Sequence, residues 1–112
     1  MAEDFYCDEV LSGKTHVDIV AETANVLAFQ HTHPYWETHI VVIPKRHIAS
    51  LIAIDKEDES LLLELLEVIR KVAKEVFEQR GAARVLTNLG EYQDSKHLHF
   101  HVFAGEEVPR PR

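Results

Sequence analysis

Cysteine occurs once in these 112 residues, at Cys7, so no disulfide can form within the chain. That fits a reducing compartment, and a cytoplasmic protein is the expectation. Basic residues are scarce: 12 lysines and arginines stand against 19 acids, for a formal net charge of −7. Such a balance argues against a general nucleic-acid binder, which presents a basic patch. It leaves room for a small phosphate-bearing ligand held by a few local groups. No run approaches 18 apolar residues, so no membrane span is expected. The opening Met1-Ala2-Glu3-Asp4 is acidic and has no apolar core, so no signal peptide is expected either. Internal repeats and low-complexity tracts are absent, and the length suits one domain over residues 1–112.

Histidine is what the chain has in plenty, and three of its eight fall within residues 97–101. His97, Leu98, His99, Phe100, His101, Val102 and Phe103 alternate polar with apolar. A strand sends successive side chains to opposite faces, so the three imidazoles share one face and Leu98, Phe100 and Val102 the other. Threonine, lysine or glutamate would serve a merely wet face; a row of histidines points to chemistry. One use is a metal site, since neutral imidazole is the commonest ligand. Strand rise sets His97 and His101 roughly 13 Å apart at Cα. Two neighbours of the row could converge on an ion, but three would need a bent strand. A set drawn from His31, His33 and His39 is a second metal candidate. The other use is acid–base or nucleophilic chemistry, in which one imidazole attacks while its neighbours orient it and hold the anion.

The remaining pattern predicts the frame. Residues 5–12 form a lead-in that Gly13 ends, with Phe5 and Leu11 tucked against the body. Alternation predicts strands over 16–22 and 26–31, joined by a turn at 22–25 into a hairpin. Pro34 breaks the pattern, and Tyr35, Trp36 and Glu37 follow in a loop. A third strand spans 39–43, with His39, Val41 and Ile43 on one face, until Pro44 stops it. Lys45, Arg46 and His47 read as a solvated basic turn, and residues 48–54 as a short helical turn. Asp55 and Asp58 are placed to start a long helix that Gly81 ends. Leu62, Leu65, Leu66, Ile69, Val72, Ala73 and Val76 recur at three and four along it. Leu61 and Leu63 widen that stripe and point to a subunit interface. A fourth strand spans 84–88. A polar connection leads to the histidine strand at 97–104, which Gly105 ends, and residues 106–112 form a loose tail or an arm onto a partner subunit. The expected fold is α+β, a mostly antiparallel five-stranded sheet with one long helix, and with the histidines on the face away from that helix.

The histidine run resembles the signature of the histidine-triad (HIT) family. Leu27-Ala28-Phe29, the segment from His39 through Pro44-Lys45-Arg46-His47 to Ile48, and Asn88-Leu89-Gly90 are similar to family segments in the family's order. The resemblance implies a HIT-like fold whose sheet extends across a homodimer. It implies a nucleotide phosphoramidase or nucleotidyl hydrolase that acts on a purine nucleotide or nucleotide conjugate at the α-phosphate, with no cofactor or metal. His99 would be the nucleophile that carries a covalent nucleotidyl intermediate, His101 would hold a phosphate oxygen, His97 would support the row, and His39 matches a further histidine kept near the triad. Asn88 and Gln93 would contact the phosphate and leaving group, and Phe29 would wall the base pocket. Asp94 stands where the family has a serine, and His31 where it has an acid for the ribose hydroxyls. A non-catalytic nucleotide-binding or interaction protein on the same fold, and a metal-binding protein that uses the histidine strand, are the alternatives.

Overall fold

The computed structural model describes residues 6–109. Five strands form one sheet in the order β1-β2-β3-β5-β4, with every neighbouring pair antiparallel: β1 (Ile19–Glu22), β2 (Val26–Gln30), β3 (Trp36–Pro44), β4 (Arg84–Leu86) and β5 (Phe100–Glu107). One long helix, α1 (Glu59–Arg80), connects β3 to β4. This is the expected α+β architecture.

The alternation in β3 and β5 explains why the sheet has two different faces. Ile40, Val42, Phe100, Val102 and Ala104 point to one side and pack with Leu65, Val68, Ile69, Val72 and Val76 of α1. Val41 and Ile43 point to the other side, with Leu27 and Phe29 of β2, and there the N-terminal turn Tyr6–Val10 covers them with Tyr6 and Val10. The stripe of α1 is turned slightly from its expected axis: Val68 is buried, whereas Leu66 is exposed. Leu61 packs against the core, so of the two residues that widened the stripe, Leu63 alone is exposed. Gly81 ends α1 in the left-handed region at φ +79°, its amide bonded to the Phe77 carbonyl at 2.7 Å.

Several boundaries differ from expectation. Residues 97–99 are not in the ladder, because their main chain is drawn to other neighbours. The Leu98 amide donates to the Ile48 carbonyl at 2.6 Å, and the Thr87 hydroxyl donates to the His99 carbonyl at 2.7 Å. The same Thr87 contact replaces ladder pairing on the partner side, so β4 stops at Leu86 and Asn88 lies beyond it. Gly105 does not end β5. With φ +89° it makes a bulge opposite Glu37, and pairing resumes at Trp36 and Glu107. Trp36 is thereby part of β3 and stacks on Phe103 at 4.1 Å. The tail is strapped as far as Val108, whose amide donates to the Tyr35 carbonyl at 2.8 Å. Phe5 and residues 110–112 of the expected tail lie outside the described residues. The basic turn is paired: Lys45 meets Glu22, and Arg46 meets the buried Asp58 that starts the helical segment. No helix among the described residues is long and apolar enough to cross a membrane.

Candidate active site

On the face opposite α1, a cleft of about 690 Å³ lies over β3 and β5. Tyr6 and Phe29 form its apolar side. His31, Thr32, His33 and Tyr35 line it from the β2–β3 connection, Trp36 from the start of β3, and Asn88, Tyr92, Asp94 and Ser95 from the β4–β5 connection. His39, His99 and His101 stand between the two groups. Long-range folding brings together residues from both halves of the chain, and most of the candidates named from sequence meet here.

His97 and Gln93 do not line the cleft. His97 is fully buried behind it. Its Nε2 lies 2.8 Å from the Pro44 carbonyl, which can only accept, so the proton is on Nε2. Its Nδ1 then accepts a hydrogen bond from the Cys7 thiol at 3.3 Å. The Gln93 side chain turns inward and donates to the Ala49 carbonyl at 2.7 Å. That corrects the expected contact of Gln93 with phosphate and leaving group: the amide is used to tie the β4–β5 connection to the segment after β3. Ser95, two residues on and buried, takes a place on the lining that sequence reasoning did not give it.

Carbonyl oxygens and main-chain amides fix the tautomer of each imidazole. His99 Nδ1 lies 2.7 Å from the His97 carbonyl, so Nδ1 donates and Nε2 keeps its lone pair. The Tyr35 amide donates to His39 Nδ1 at 3.0 Å, which puts the His39 proton on Nε2. That proton is given to His101 Nδ1 at 2.9 Å, so the His101 proton is on Nε2. The His33 amide likewise donates to His31 Nδ1 at 2.9 Å, leaving the His31 proton on Nε2. Burial pushes the His101 imidazole down to about 4, with further contributions from His99 and His31. His101 is thus a neutral hydrogen-bond donor at neutral pH. His99 has its ring against Tyr6 on one side, with centroids 4.8 Å apart, and edge-on to His101 at 5.0 Å on the other.

Two clusters have metal-like spacing. Ring nitrogens of His31, His39 and His101 lie within 4.8 Å of one another; the cluster includes His101 rather than the His33 named from sequence. Its chemistry does not suit a cation. A neutral imidazole that binds metal through Nε2 carries its proton on Nδ1. In His31 and His39 that proton would face a main-chain N–H. The second cluster, Cys7, His47 and His97, lies outside the cleft lining. Its donors suit a metal better, because the His97 Nδ1 lone pair faces the thiol.

The comparisons with known proteins agree with this geometry. The family model described as scavenger mRNA decapping enzyme C-terminal binding matches residues 5–109. An uncharacterised HIT-like protein of Synechococcus elongatus is 32% identical, over 99% of this chain and 98% of that one. The structure of a histidine triad protein from Clostridium difficile superposes with a TM-score of 0.79 at 35% identity, over 100% of this chain and 98% of that one. A HIT family hydrolase from Legionella pneumophila superposes with a TM-score of 0.80 at 28% identity, over 96% and 97%. With the three histidines carried by β5 and the segment that leads into it, a sheet and helix in the same arrangement, and relatives matched nearly end to end, this chain belongs to the histidine-triad family.

Proposed function

We propose that this chain is a nucleotide phosphoramidase or nucleotidyl hydrolase that acts at the α-phosphate through a covalent intermediate on His99. One observation carries the reading: the His97 carbonyl accepts from His99 Nδ1, which makes Nε2 the nitrogen that bears the nucleophilic lone pair on a ring lining the cleft. Neutral imidazole is nucleophilic at pH 7. Attack forms a P–Nε2 bond and breaks the bond from phosphorus to the leaving nitrogen or oxygen, and the leaving group takes its proton from solvent at the mouth of the cleft. Positive charge that develops on the ring is shared with the His97 carbonyl through a short, now charge-assisted, hydrogen bond. The His101 Nε2 proton stabilises a phosphate oxygen. Water then adds to phosphorus, the P–Nε2 bond breaks, and the nucleoside monophosphate leaves.

Tyr6 and Phe29, with ring centroids 6.0 Å apart, are the side of the cleft suited to a purine base. A homodimer belongs to the same reading. The edge strand β4 is exposed along its length, with Val85 and Leu86 on it, and α1 exposes Leu63, Leu66 and Phe77. The carrier of the reaction is tested by rapid-quench trapping with nucleotide labelled at the α-phosphorus, followed by peptide mapping. Label is expected on His99. Label on His97 or His101, or full activity in His99→Ala, would overturn the reading.

A further inference from the structure

Tyr6 is delivered to the cleft by the turn Tyr6–Val10, which covers Leu27, Phe29, Val41 and Ile43. The Leu11 amide closes that turn on the Tyr6 carbonyl at 2.7 Å. The side chain is buried, and its ring is held among three others, with centroids 6.0 Å from Phe29, 5.9 Å from His97 and 4.8 Å from His99. Covering the core accounts for an apolar residue at this position, and leucine would serve. It does not account for an aromatic ring set 4.8 Å from the ring that attacks.

The reaction written above gives His99 a charge that its resting ring lacks. With phosphorus on Nε2 and a proton on Nδ1, the imidazole is a cation until the P–Nε2 bond breaks and its electron pair returns to nitrogen. His99 is buried, so water does little to solvate that charge. The His97 carbonyl meets it at Nδ1, at 2.7 Å. His101, edge-on at 5.0 Å, is held neutral by burial and does not repel it. Tyr6 meets the ring on another side, tilted 49° to it. An aromatic ring whose centroid lies within about 6 Å attracts a cation through its quadrupole, and more strongly where both are shielded from water.

We propose that the Tyr6 ring stabilises the positive charge on His99 in the covalent intermediate through a cation–π interaction. This deepens the hydrolase reading and rests on it. The two chemical steps then respond in opposite directions. Charge appears on His99 as the intermediate forms and is lost as water resolves it. A ring that favours the charged state speeds the first step and slows the second. Packing of a base against Tyr6 would act on binding instead, and a purely structural role would not oppose the two steps.

Rapid-quench kinetics with saturating adenosine 5′-phosphoramidate, radiolabelled at phosphorus, tests this on the full chain. Arrival of label on His99 and its loss are followed in wild type, in Tyr6→Phe, and in proteins carrying increasingly fluorinated phenylalanines at position 6. Fluorination withdraws charge from the ring face at nearly constant shape, so the core stays covered while the quadrupole fades. Arrival is expected to slow and loss to accelerate step by step along the series. The two changes multiplied together should reach roughly 2- to 30-fold at full fluorination. Tyr6→Leu, which has no π system, should behave like the most fluorinated ring and gives the same reading if that ring is not accommodated. Melting temperatures check that each protein is folded. Rate constants that stay level across the folded series, or that move in the same direction, overturn the inference and leave the hydrolase reading standing. Failure to trap label on His99 in wild type overturns both.

Discussion

His39 Nε2 lies 2.9 Å from His101 Nδ1, and the main chain decides which of the two gives the proton. The Tyr35 amide occupies His39 Nδ1, so His39 donates, His101 accepts, and the His101 proton projects from its other nitrogen. A proton added to His101 Nδ1 would set two N–H groups face to face. The pair is therefore a dead-ended donor chain, and its output is one fixed N–H in the cleft.

The three triad positions should differ in kind. His99→Ala removes the covalent step and should lower kcat/KM by at least about 10³-fold. His101→Ala removes one charge-stabilising donor and should cost roughly 10²- to 10³-fold. His97→Ala keeps the carbonyl that holds His99, so its main effect should be on stability: a fully buried side chain is lost and the Pro44 carbonyl left unpaired, about 2–4 kcal/mol. Steady-state kinetics and urea unfolding on the same preparations would separate the two effects. A His97→Ala enzyme as inactive as His99→Ala at wild-type stability would contradict this assignment.

Stability should fall on acidification through His101. Its folded value is about 4 against 6.5 for the unfolded chain. Above pH 6.5 both states hold it neutral. Between 6.5 and 4 the unfolded state binds the proton and the folded state does not, so unfolding is favoured progressively as pH drops through that window. Urea unfolding at pH 7.0, 5.5 and 4.5 should show a steeper loss in wild type than in His101→Gln. Parallel curves would refute the prediction.

Turnover should survive strong chelator. The nitrogens that would have to be protonated for His31 and His39 to bind a cation already accept main-chain hydrogen bonds. Loss of activity that zinc restores, with no accompanying change in melting temperature, would count against covalent catalysis by His99.

A symmetric dimer is expected from the exposed β4 edge and the apolar residues left on α1. Sedimentation at micromolar concentration should give about twice the 12.9 kDa of one chain. A mass near one chain would exclude it.

Gly105→Ala should destabilise the fold by about 1–3 kcal/mol. At φ +89° an added Cβ would stand 2.5 Å from Glu37 Oε1 and 2.9 Å from Glu37 Cβ. Glu37 has little room to give, because it accepts from Arg80 at 3.1 Å and from the Glu106 amide at 3.2 Å. Thermal melting of the variant against wild type measures the cost.

Local pattern alone carried most of the frame. The period of two in 39–43 and 98–103 assigns each side chain to its face, the period of three and four marks α1, and Gly81 stops it. All of these rest on neighbours along the chain, and all are seen in the structure. The identity of the reactive row was legible for the same reason, because three histidines at every second position need no partner to be noticed. What the strand pattern could not contain was the departure at 97–99, where Ile48 and Thr87 draw the main chain out of the ladder. It could not place Gln93, whose partner is the Ala49 carbonyl 44 positions away, or foresee that Gly105 continues β5 through a bulge shaped by Glu37. Nor could it set any tautomer. An imidazole has two equivalent-looking nitrogens until the folded main chain brings a carbonyl or an amide against one of them. Sequence made this a row of histidines; the folded backbone fixed the tautomers of His99 and His31 through partners two positions away, and the contact with His39, 62 positions away, left the His101 proton on Nε2.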